Sequence, residues 1–222
     1  MSTRDDFLDA AMNHALFDGW SPATIAAARA DLAMSAEAVR QIFPKGAPDL
    51  ALAYHRRLDA QMVEALRAAD LGEMRFRDRI TYAVRLRLEI ADKELVRRGM
   101  ALFALPQHAA TGARALWETA DEIWTILGDT SRDINWYTKR STLSAVFSST
   151  ALYWLGDESD GDAKTWDFLD RRIGNVMQFE KMKAEARKNP LVGAFMKGPG
   201  KVLDMVQAPR ATRPGYPGGR GR

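Results

Sequence analysis

Gly128-Asp-Thr-Ser-Arg-Asp-Ile-Asn-Trp-Tyr-Thr-Lys-Arg140 opens with four turn formers and continues as the start of a helix, predicted over about residues 132–155. Upstream, Pro106 begins a helical run to Leu127 that carries Leu116, Trp117, Ala120, Ile123 and Trp124 along one face. Downstream, Leu143, Phe147, Ala151 and Trp154 recur at helical spacing. Two long helices joined by so short a turn pack antiparallel, which points to an all-α architecture.

Outward from this pair, nearly every segment keeps helical period, and alternating β-branched runs are absent. A first helix is predicted over about 3–15, with Phe7, Leu8, Ala11 and Met12 on one stripe, and a turn at Phe17-Asp18-Gly19-Trp20. Ser21-Pro22 reads as N-cap and first position of a helix over about 21–33. Ser35 caps a short helix that stops near Phe43, before Pro44 and Gly46. Further helices are predicted over about 48–69, 73–91 and 93–104, and a ninth over about 162–178 after the acidic loop Gly156–Gly161. Beyond Phe179 come a charged hinge, an amphipathic stretch Pro190–Val206, and a Pro-, Gly- and Arg-rich tail predicted to be disordered. The expected organisation is a three-helix region over 1–46, a bundle over 47–178, a C-terminal amphipathic segment over 179–206 and a basic tail over 207–222.

The net charge of +3 conceals an asymmetry. Residues 1–170 hold 20 Lys+Arg against 26 Asp+Glu, while residues 171–222 hold 12 against 3. A basic tail on an acidic body suits contact with phosphate groups. The absence of cysteine excludes disulfides, thiolate metal sites and a cysteine nucleophile. No apolar run reaches the roughly 20 residues that span a bilayer. The N-terminus has no secretory signal and is acidic from Asp5, unlike a transit peptide. The location expected from this is the cytoplasm, peripheral on the inner face of a bacterial cytoplasmic membrane.

Catalysis is disfavoured. His14, His55 and His108 lie far apart, and none follows a Glu by three residues, so the Glu-x-x-His di-iron pattern is missing. Phosphate-binding and nucleophile-elbow motifs are missing too. Asp157, Glu158, Asp160 and Asp162 lack the spacing of a calcium loop. No catalytic residue, metal site or cofactor is expected.

Three short helices followed by long antiparallel ones resemble the TetR-type regulators, whose helix-turn-helix would fall at Ser21–Phe43 here. The block Gly128–Arg140 resembles the signature of the Coq-nine family of ubiquinone biosynthesis proteins. Phe17–Ser21, Leu105-Pro106-Gln107, Tyr153-Trp154-Leu155 and Thr165–Ile173 match the same family, so the resemblance covers roughly residues 4–178. It implies a TetR-like bundle of about nine helices, a homodimer, and binding of a polyprenylated quinone precursor lipid. It also implies a partner, the di-iron demethoxyubiquinone hydroxylase, and attachment to a membrane surface through a C-terminal amphipathic helix. The expected function is a non-catalytic, lipid-binding accessory role; the alternative is a TetR-type ligand-responsive repressor.

Candidate sites follow from both sources. Asp133, Asn135, Trp136, Tyr137 and Arg140 fall within two helical turns and are rich in the side chains that dominate protein interfaces, which marks them for partner binding. Leu116, Trp117, Ala120, Ile123, Trp124, Leu143, Phe147, Ala151 and Trp154 are the candidate lipid-binding residues. Ala145, Ser148, Ser149 and Thr150 are small enough to leave room beside them. Leu191, Val192, Phe195, Met196, Lys197, Lys201, Val202 and Leu203 combine apolar and basic side chains for membrane binding. DNA binding is disfavoured, because residues 1–60 hold 6 Lys+Arg against 8 Asp+Glu, and the second helix of the motif offers only Arg40 and Gln41 as readers.

Overall fold

The computed structural model describes residues 3–188 together with 207–208. Among them the chain forms nine α-helices: α1 (Thr3–Asp18), α2 (Pro22–Asp31), α3 (Ala36–Ile42), α4 (Ala47–Ala68), α5 (Phe76–Glu89), α6 (Lys93–Phe103), α7 (Ala109–Ile126), α8 (Ile134–Leu155) and α9 (Ala163–Lys188). No described residue is in a strand, and the all-α expectation holds. Four boundaries differ from the sequence reading by three residues or more: α1 continues to Asp18 rather than ending near 15, α5 begins at Phe76 rather than 73, and one end each of α9 and α7 shifts for a local reason. Helix α9 runs ten residues past 178, since nothing between Phe179 and Lys188 breaks a helix. Helix α7 starts at Ala109, because Pro106–His108 form a turn rather than its first turn.

The chain divides into two compact units, one of residues 1–65 and 86–115, the other of 66–85 and 116–222. In the first, Phe7, Leu8, Ala11 and Ala15 of α1 pack with Trp20, Phe43, Leu50, Tyr54 and Leu95. The caps at Ser21 and Ser35 form as expected, accepting from the Thr24 and Ala38 amides at 3.2 and 3.1 Å. The turn after α1 needs a left-handed residue, and Gly19 supplies it at φ +66°. It delivers Trp20 to the core, where the indole donates to the Leu95 carbonyl at 3.0 Å. Two charges are buried here: Arg87 donates to Asp59 Oδ1 at 2.7 Å and to the His55 carbonyl at 3.0 Å.

The second unit is built on α8, whose Leu143, Val146, Phe147, Ala151 and Trp154 are all buried. Its approach is set by how α7 ends. Gly128 adopts φ +83°. Its amide bonds the Thr125 carbonyl at 3.1 Å, and the Asp129 amide bonds the Trp124 carbonyl at 2.9 Å. This paired closure stops the helix and fixes where Asp129 points. Asp133 then caps α8, accepting from the Asn135 amide at 3.1 Å. The cap is Asp133 and not the preceding turn residues Thr130 and Ser131. Ser131 instead turns its hydroxyl to Asp129 Oδ1 at 2.8 Å. At the far end of α8, Asp157 accepts from Thr165 and Ser159 and so starts α9. Those hydrogen bonds hold its carboxyl well below the ordinary carboxylate range. The acidic loop is thus a helix start.

Candidate functional site

The signature block folds around one carboxylate. Asp129 Oδ1 meets Lys139 Nζ at 2.7 Å, and Asp129 Oδ2 meets Arg140 Nη1 at 3.0 Å. Burial pushes the Asp129 carboxyl up, but hydrogen bonds from Lys139, Ser131 and Arg140 outweigh it and hold its pKa at about 2. Lys139 also donates to Ser131 Oγ at 2.7 Å and lies 5.0 Å from the Trp124 ring centre. Arg140 is 2% exposed; its Nε donates to Asp121 Oδ1 at 2.5 Å. Its guanidinium sits 4.1 Å from the Trp136 ring centre. A buried guanidinium tolerates desolvation only when paired in this way.

The five residues expected to bind a partner therefore differ in what they can offer. Asp133 is exposed but engaged as the cap. Trp136 is only 8% exposed, wedged against Trp117 at 5.7 Å and edge-on to Tyr137 at 4.8 Å. Arg140 is spent on Asp121 and Asp129, so it positions Trp136 rather than meeting solvent. Asn135 and Tyr137 are half-buried and retain accessible surface.

A cavity of about 250 Å³ opens within the second unit. Phe76 and Ile80 of α5, Trp124 of α7, Ile173, Val176 and Met177 of α9, and Asn135, Thr138, Lys139, Thr142, Leu143 and Val146 of α8 line it. Phe76 and Met177 are 43% and 37% exposed. Of the nine expected lipid-binding residues, the structure brings Trp124 and Leu143 to this cavity. Ala120, Ile123, Phe147, Ala151 and Trp154 are buried but do not line it. Leu116 and Trp117 are half-buried and do not line it either. Nor do the small residues create the room. Ala145 is exposed, Ser149 bonds the Val146 carbonyl at 3.0 Å, and Thr150 is fully buried. The walls from α5 and α9 were missed, although Ile80 with Val84 and Ile173 with Val176 carry the helical period that marks an inward face. Residues 191–203, the expected membrane segment, lie outside the described residues. Among the described residues no helix is long and apolar enough to cross a membrane, and no group of His, Asp and Glu is placed to hold a metal ion.

The helix order and the bundle define an all-α protein of the TetR-like class. A TetR transcriptional regulator from Nitrosomonas europaea superposes with a TM-score of 0.65 over 80% of this chain and 99% of that one. At 20% identity the likeness concerns the fold. Residues 109–180, which carry the Asp129 network and most of the cavity wall, match the COQ9 family model. The mitochondrial ubiquinone biosynthesis protein COQ9 of Drosophila melanogaster is 35% identical over 188 residues, covering 82% of this chain and 57% of that protein. Human COQ9 is 29% identical over 202 residues, covering 84% and 63%. The chain carries a COQ9-family domain and is a relative of the curated COQ9 proteins, of which it spans less than two thirds. These relatives are named as mitochondrial, which overturns the expected location at a bacterial cytoplasmic membrane. That expectation leaned on the first residues of a chain that matches only part of each relative.

Proposed function

We propose that the chain is a non-catalytic accessory protein of ubiquinone biosynthesis that holds a polyprenylated quinone precursor and presents it to the demethoxyubiquinone hydroxylase. The COQ9 relatives support a role in that pathway. One observation carries the lipid reading: a single stretch of α8 borders an apolar cavity with Asn135, Thr138, Lys139 and Thr142 and turns Tyr137 toward solvent. At about 250 Å³ the cavity falls below the roughly 300–1,000 Å³ of sites that enclose a whole small molecule. It suits one apolar end of a long lipid, with the rest leaving past Phe76 and Met177. A hydroxylase docked beside Tyr137 meets the substrate there. Homodimerisation and attachment to a membrane surface through residues 179–206 belong to the same proposal.

The test is organic extraction of protein purified without detergent, followed by mass spectrometry. The expected result is a co-purifying polyprenyl quinone or prenylphenol. A clean extract would remove the lipid-holding part and leave a docking protein.

A further inference from the structure

Gln207 and Ala208 lie against the start of α8. The Ala208 amide donates to the Arg132 carbonyl at 2.9 Å, and the Tyr137 hydroxyl donates to the Gln207 carbonyl at 3.4 Å. The Gln207 carbonyl and the Ala208 amide are the two ends of one peptide group. That group is trans, so its ends point in opposite directions. One peptide unit is therefore gripped from both sides, and Ala208 is half-buried in the grip while Gln207 stays exposed.

Both gripping groups are set in place beforehand. Arg132 follows the loop that Asp129 anchors through Ser131, Lys139 and Arg140. The Tyr137 ring is fixed edge-on to Trp136, at 81°. The Arg132 residue lies ahead of the first turn of α8, where Asp133 supplies the first carbonyl the helix uses, to Trp136 at 2.9 Å. Both contacts go to backbone atoms, so what is recognised is a peptide group with a free N–H, whatever its side chains.

We propose that the Arg132 carbonyl and the Tyr137 hydroxyl form a receptor for one peptide group, occupied by this chain's own Gln207–Ala208. Seated there, the segment covers the edge of the surface assigned to the hydroxylase, and the two compete. Only the competition rests on the docking reading of the previous section.

The chain has no cysteine, so two can be introduced into the full-length protein and spin-labelled cleanly. Gln207→Cys and Ser141→Cys place labels on two exposed residues, one on the segment and one on α8. Pulsed electron resonance should give a narrow, short distance. Ala208→Pro removes the donated N–H at a residue outside any helix, and Tyr137→Phe removes the hydroxyl while keeping the ring. Each should lower the ratio of short-distance to long-distance populations about fivefold, the effect of one hydrogen bond of ordinary strength. A broad distribution, the same in all three proteins, overturns the receptor. Purified di-iron demethoxyubiquinone hydroxylase should release the segment as Ala208→Pro does. Formation of a complex with the short distance intact overturns the competition. Failure of the hydroxylase to bind, with the distance still answering to Ala208→Pro, upholds the receptor and counts against the docking reading instead.

Discussion

Arg87 and Arg140 are each 2% exposed, one in each compact unit, and they are used differently. Arg87 of α5 joins Asp59 and the His55 backbone of α4, so its charge fastens helix to helix in the interior. Arg140 joins Asp121 of α7 and Asp129 of the connecting turn, and its flat face supports Trp136. Trp136 in turn abuts Tyr137, which reaches solvent. The first arginine holds packing. The second transmits the rigidity of a buried ion pair to an accessible patch.

The largest expected effect falls on the first. Asp59→Ala leaves Arg87 in the interior without that carboxylate and should cost about 3–5 kcal/mol in urea denaturation. A cost near zero would mean that Arg87 finds solvent and that the two arginines are not alike in burial. Arg140→Lys should cost about 2–3 kcal/mol, because an ammonium cannot meet two carboxylates and an indole face in one fixed geometry. Should Lys serve equally well in a thermal melt, shape matters less there than charge. Tyr137→Ala should change stability by under about 1 kcal/mol and weaken hydroxylase affinity by about 2 kcal/mol, as a central interface aromatic does. Trp136→Ala should weaken the same affinity, and because Trp136 is buried it should also cost about 3 kcal/mol of stability. Unchanged affinity in both variants, measured calorimetrically, would sever the link from buried arginine to docking patch. Val146→Phe, which intrudes on the cavity, should cost about 1–2 kcal/mol and abolish lipid co-extraction.

The smallest effect is one of pH. The Asp129 carboxyl, at about 2, lies below its ordinary 3.8, so its stabilising contribution is complete above about pH 4 and is lost as pH falls toward 2. Asp129→Asn should flatten the acid limb of the stability curve in that window. Asp157, held low by Ser159 and Thr165, acts in the same direction, so some slope should remain.

The helices were legible because apolar period and N-cap chemistry are local; Ser21 and Ser35 cap as their positions indicate. The Asp129 network was legible only as a place. The block 128–140 stood out, yet nothing in it says that Arg140 turns inward, because its partner Asp121 lies 19 residues away. A signal did exist: Asp121 sits between Ala120 and Ile123 on the buried stripe of α7, where an isolated carboxylate needs a cation. The Arg87–Asp59 pair, 28 residues apart, offered the same clue beside Leu58 and Leu88. The cavity was not legible. Its walls come from four helices, and which apolar face borders a void rather than a neighbour depends on how those helices pack.

The grip on Gln207–Ala208 joins two parts of one chain, with Tyr137 and Gln207 70 residues apart. Its occupancy is then governed by an effective concentration that the chain itself sets, and not by how much protein is present. Dilution leaves it closed. A competitor for the same edge faces a fixed threshold: its own concentration divided by its dissociation constant must exceed the local concentration of the tail divided by the tail's own. Two modest hydrogen bonds, too weak to hold a free peptide, can in this way set the level at which a docking partner begins to register.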